Sequence, residues 1–227
     1  MGKAKVSAII GVAAAGLLAG AGIAAADGIS IADCNTLNLP VQIDFENYPR
    51  VVNGTRYDDV QHFNGADIGE HFEGQTLVNY DNFDVLDTFA SAPLQLRAGE
   101  PGKNLSVEAH GPRQNTLYGL GPVGFEHKNG SGEGAISILF WADQQAFGAV
   151  FEMEMAYAGS PPAGEVRLIF FSRDARLLGD IHLTGAGRTK ACFQSSGAGI
   201  AGVTITNTDA QGISVDDISF DRVLVVG

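Results

Sequence analysis

Ile213-Ser214-Val215-Asp216-Asp217-Ile218-Ser219-Phe220 decides how this chain is read. Ile213 and Val215 share one parity, and Ile218 and Phe220 share the other. In a regular strand, core-facing residues cannot change parity. A β-bulge at Asp216-Asp217 absorbs the extra residue and keeps all four apolar side chains on one face. Carboxylates inside such a run need a compensating partner, and a hard cation is a common one. A matching acidic segment, Ile43-Asp44-Phe45-Glu46, lies near the other end. If the first and last strands are neighbours, Glu46, Asp216 and Asp217, joined by Asp44, make a calcium clasp. The alternative is four solvated strand carboxylates.

Between these ends the pattern is β almost throughout. Val41, Ile43 and Phe45 alternate, as do Ile136, Ile138 and Phe140, and Phe151, Met153, Met155 and Tyr157. Further runs cover Leu105 to Ala109, Val166 to Phe170, Leu177 to Leu183, and Val203 to Ile205. Turn pairs such as Asn53-Gly54, Asn129-Gly130 and Gln211-Gly212 separate them. No long amphipathic helix is legible, and residues 67–89 read as a short helix or a long connection. The 227 residues suffice for one domain, and the 30 glycines suit many tight turns. The expected fold is an all-β, two-sheet antiparallel β-sandwich of the jelly-roll kind, over residues 41–227, with 27–40 as a leader segment.

The first 26 residues predict a secretory signal peptide. Lys3 and Lys5 precede an uncharged run from Val6 to Ala26, which ends in Ala24-Ala25-Ala26. Cleavage after Ala26 sends the chain outside the cell or into a periplasm. The alternative is a retained anchor, because the run is long enough to span a bilayer. Losing both lysines takes the formal charge from −12 to −14. That surface disfavours nucleic acid and anionic membrane, so neither nucleic-acid binding nor membrane insertion of the mature chain is expected. The two cysteines, Cys34 and Cys192, suggest one disulfide in an oxidising compartment. Closing so long a loop is worth about 4–5 kcal/mol on the chain-entropy model. Two buried thiols are the alternative.

Asp44-Phe45-Glu46 and Val215-Asp216-Asp217-Ile218-Ser219-Phe220 resemble the ends of MAM-type domains and related carbohydrate-binding jelly rolls. They also resemble secreted bacterial proteins of the PEP-CTERM kind, as does Ile68-Gly69-Glu70-His71-Phe72-Glu73-Gly74-Gln75-Thr76. The resemblance implies a structural calcium on Glu46 and on Asp216 or Asp217.

Other constellations are weaker. Asp81, Asp84 and Asp87 lack EF-hand spacing and read as a solvated loop face. Glu152 and Glu154 share a strand face, but Ala156 and Tyr157 stand where a laminarinase-type hydrolase needs a further acid. Gly119 to Gly124 and Gly197 to Gly202 match a dinucleotide-loop pattern without opening a helix. Trp141, Tyr57, Tyr118 and Tyr80 are candidate sugar-stacking residues, although Trp141 also suits a strand end. The expected function is a secreted, non-catalytic, calcium-stabilised module for glycan recognition or adhesion to a cell surface or matrix. A structural matrix or envelope protein that self-associates through sheet edges is the alternative, and a carbohydrate-active hydrolase comes third.

Overall fold

The computed structural model describes residues 28–110, 114–125, 131–153, 164–185 and 187–222. The predicted signal segment 1–26, Glu154, Asn129-Gly130 and the last five residues lie outside them. Eighteen short strands make up the described fold. They begin with β1 (Ile29–Ala32), β2 (Val41–Ile43), β3 (Thr55–Tyr57), β4 (Gln61–Phe63), β5 (Ala66–Gly69) and β6 (His71–Phe72). Then come β7 (Thr76–Tyr80), β8 (Phe83–Thr88), β9 (Leu96–Arg97), β10 (Leu105–His110), β11 (Gln114–Gly119) and β12 (Ile136–Gln144). The last six are β13 (Ala146–Met153), β14 (Glu165–Phe171), β15 (Leu177–Thr184), β16 (Gly187–Ser195), β17 (Ile200–Asn207) and β18 (Ser214–Phe220).

Two antiparallel sheets form the sandwich. The eight-stranded sheet runs β1-β16-β13-β18-β11-β10-β3, with β2 also paired to β18. The six-stranded sheet runs β15-β14-β17-β12-β5-β4. Phe140, Phe147, Phe170, Phe193 and Phe220 meet between them, with no exposed surface. Ring centroids stand 5.1 Å apart for Phe140–Phe220 and 5.1 Å for Phe170–Phe193, in tilted geometry that favours aromatic quadrupoles.

The parity break in β18 is a bulge. Val150 faces Asp216 and Gly148 faces Ser219, so the register shifts between them. Asp217 takes a positive φ of 47° there. Ile213, Val215, Ile218 and Phe220 all reach the core. On its other edge β18 changes partner across the bulge: Leu117 pairs with Val215 before it, and Ile43 pairs with Ile218 after it. The beginning and end of the domain are therefore neighbours.

Two expectations change. The leader is not outside the sandwich, because Ile29–Ala32 pairs with β16 as an edge strand. Cys34, in the turn just after it, is bonded to Cys192. Residues 67–89 are neither helix nor open connection. They supply β5, the hairpin β7–β8 and part of the β6–β9 pair. The β7–β8 hairpin and the β6–β9 pair form a third layer on the outer face of the six-stranded sheet. Phe72, Leu86 and Leu94 pack there against Ile169, Phe171 and Ala201. The contact is close enough to require glycine at 202, where a Cβ would lie 2.5 Å from Phe72 Cζ. A buried polar clip fixes the layer. Gln75 accepts from Phe72 N at 2.7 Å and donates to Thr204 Oγ1 at 3.0 Å, and Thr204 bonds Ser137 at 2.8 Å. With every group matched, burying this network carries little penalty.

Candidate ligand cleft

The residues predicted for the clasp are held by protein groups: Asp216 and Asp217 share Arg188, and Glu46 and Asp44 accept from backbone N–H groups. Asp216 is 3% exposed. Its carboxylate accepts from Gln114 Nε2 at 2.6 Å, Arg188 Nη2 at 2.9 Å and the Asp217 N–H at 2.8 Å. Asp217 accepts from Gln42 Nε2 at 2.8 Å, and its carboxylate lies 3.4 Å from Arg188 Nη2. Glu46 Oε1 accepts from Asn115 N at 2.9 Å, and Asp44 Oδ1 accepts from Glu46 N at 3.2 Å. Among the described residues no group of three or more His, Cys, Asp or Glu is placed to hold a metal ion. These four carboxylates thus do not fit a calcium cage in this conformation, and Arg188 is the cation that balances Asp216. Burial raises the Asp216 pKa, and Arg188, the Asp217 N–H and Gln114 offset part of that rise.

Arg188→Met is expected to destabilise the domain by about 2 kcal/mol, because it leaves a buried carboxylate short of its counter-ion. Chelation of divalent cations is expected to leave the melting temperature unchanged. The reverse pattern in thermal melts would make a metal ion, and not Arg188, the compensator.

The predicted aromatics do not make one platform. Tyr57 packs edge-on against Tyr48 with centroids 5.0 Å apart, at the rim of the core. Tyr118 alternates with core-facing Leu117 and so lies on the outer face of the large sheet. Trp141 follows core-facing Phe140 on the outer face of the other sheet, where its Nε1 donates to Asp67 Oδ1 at 3.1 Å. Tyr80, 65% exposed, pairs with Phe83 near the tip of the β7–β8 hairpin. Glu152 meets His110 Nε2 at 3.2 Å and lies 4.0 Å from Arg188.

A site with the shape of a binding cleft lies elsewhere among the described residues, beneath the third layer. It has a volume of about 370 Å³, within the range typical of small-ligand sites. Glu70 and His71 line it from the β5–β6 junction, Asn79 from β7 and Asp84 from β8. Glu100 and Lys103 line it from the loop before β10. Two polar pairs are preformed: a hydrogen bond between Glu70 Oε2 and His71 Nδ1 at 2.8 Å, and an ion pair between Glu100 Oε2 and Lys103 Nζ at 2.9 Å. Glycine at 99 makes room for Glu70, since a Cβ there would collide with the Glu70 carboxylate.

Asp84 is the unusual member. It is 7% exposed, not the solvated loop residue its spacing suggested. Its N–H donates to Glu133 O at 3.0 Å, and its Oδ2 accepts from Ala135 N at 3.2 Å. No described side chain forms an ion pair or a hydrogen bond with its carboxylate. Burial, reinforced by the Glu70 carboxylate, pushes its pKa up to about 7; the Ala135 N–H, Lys103 and His71 pull the other way. Nearby Glu133 is also pushed to about 7, by burial. Sequence reading missed Glu70, His71, Asn79, Asp84 and Lys103 as one site. One signal was present: Asp84 shares the parity of Leu86, the buried residue of its own strand. No protein-family model, curated protein or solved structure matches this chain.

Proposed function

We propose that this chain is a secreted, non-catalytic β-sandwich module that recognises a glycan in the cleft under its third layer. The observation that carries this reading is the open carboxylate of Asp84, set in a concave, polar wall with Asn79, Glu70 and Lys103. Asn79 Oδ1 accepts from Asn82 N at 3.0 Å, which fixes the amide while its Nδ2 keeps donor capacity. Hydroxyl-rich ligands are held by such oriented donors and acceptors on a rigid scaffold. The Cys34–Cys192 bond supports an oxidising compartment, and with it export by the leader. Among the described residues no helix is long and apolar enough to cross a membrane.

A glycan array followed by titration calorimetry tests the reading. Asn79→Ala and Lys103→Ala, both at accessible side chains, are expected to weaken binding about tenfold each, the equivalent of one hydrogen bond apiece. Absence of binding across the array, or binding indifferent to both variants, would remove the cleft from the account. Concentration-dependent assembly in the absence of any sugar would point instead to a structural protein pairing through its sheet edges, where β15 and β4 bound the smaller sheet.

A further inference from the structure

We infer that the cleft selects a glycan bearing a primary amine, an amino sugar whose ammonium pairs with Asp84. This rests on the glycan reading above and narrows it to a ligand class. The walls hold three carboxylates, Glu70, Asp84 and Glu100, against one lysine, Lys103, and one histidine, His71. Glu100 takes Lys103 and Glu70 takes His71, which leaves Asp84 without a cation of its own among the described residues. Its Oδ2 has only the Ala135 N–H, and its Oδ1 accepts no hydrogen bond from a described residue. A buried carboxylate in that state either keeps a proton or waits for a positive charge from outside.

The volume and the partners narrow the source of that charge. A cleft of about 370 Å³ is far larger than a bare ion needs, and no multidentate metal group occurs among the described residues. A positive group on a ring-sized, hydroxylated body fits both the open carboxylate and the amide and carboxylate groups around it. The groups facing Asp84 from neighbouring elements are Glu70, His71 and Lys103, and Glu133 adjoins it through the backbone. Lys103 and His71 act on it at a distance while bonded to Glu100 and Glu70.

Charge matching has a proton signature. Below neutral pH Asp84 holds its proton, and an arriving ammonium displaces that proton to solvent. A neutral sugar displaces none.

Calorimetry on the full protein at pH 6, in two buffers of different ionisation enthalpy, reads this directly. The probes are a glucosamine disaccharide, its N-acetylated counterpart and the matching glucose disaccharide. The amine is expected to bind about tenfold more tightly than either neutral sugar, with release of about one proton per site. Asp84→Asn is expected to abolish both the preference for the amine and the proton release. Equal binding of all three probes without proton release would overturn the amine inference and leave the glycan reading standing. No binding by any probe, together with a blank array, would overturn both. Amine binding untouched by Asp84→Asn would place the ammonium elsewhere and overturn the inference. Proton release in the unaltered protein decides the matter if the variant does not fold.

Discussion

Replacing Cys34 and Cys192 with serine is expected to lower the melting temperature by about 10 °C, the equivalent of roughly 3 kcal/mol for a domain of this size. The bond joins positions 158 residues apart, so it restrains a large part of the unfolded chain. It also acts locally. β1 is a four-residue edge strand that ends opposite Cys192. Short terminal strands fray unless something ties them down. The double variant is therefore expected to lose amide protection in Ile29–Ala32 before the rest of the sheet opens. Calorimetry with hydrogen exchange measures both. A drop under about 2 °C with β1 still protected would show that the edge strand holds by pairing alone.

Asp84→Asn is expected to stabilise the protein, and to do so more at pH 8 than at pH 5, by about 2 kcal/mol between those conditions. Asp84 and Glu133 each have a folded-state pKa near 7, above their ordinary values of 3.8 and 4.5. Both bind a proton more tightly when folded than when unfolded. Their favourable contribution is complete below the ordinary carboxylate range and is lost as pH rises towards 7. Carboxylates in ion pairs behave oppositely: Arg167 lowers the Asp180 pKa, so that pair weakens only in stronger acid. Histidines also change charge between pH 5 and 8, but they are common to parent and variant, so the difference between the two isolates Asp84. The introduced amide oxygen can still accept from Ala135 N, so the substitution removes the charge and keeps the bond. Urea melts at the two pH values give the comparison. Parallel pH profiles for parent and variant would mean that Asp84 is ionised in the folded state throughout. Glu133→Gln is expected to flatten the same profile independently.

The main strands were legible because apolar core-facing residues recur at alternate positions along them, as in Ile136, Ile138 and Phe140. The bulge was legible too, because Val215 and Ile218 have incompatible parities and share one core. Neither β1 nor the third layer carried so clear a mark. Ile29-Ser30-Ile31-Ala32 is short and lies among polar residues. The strands between 66 and 97 run from two to six residues, too few for a periodic pattern to stand out. The partners of Asp216 were not legible: Arg188 on β16 and Gln114 on β11 arrive by sheet register. Long-range pairing of that kind has no local signature. The cleft was hidden for the same reason, since its walls come from separate stretches of chain.

Those walls belong to loops and to a hairpin clipped over the smaller sheet through Gly202 and Gln75, and not to the phenylalanine interior. Cleft and interior are thus built from different residues. Exchanging the segment from Glu70 to Thr88 should reshape the cleft while leaving that interior intact.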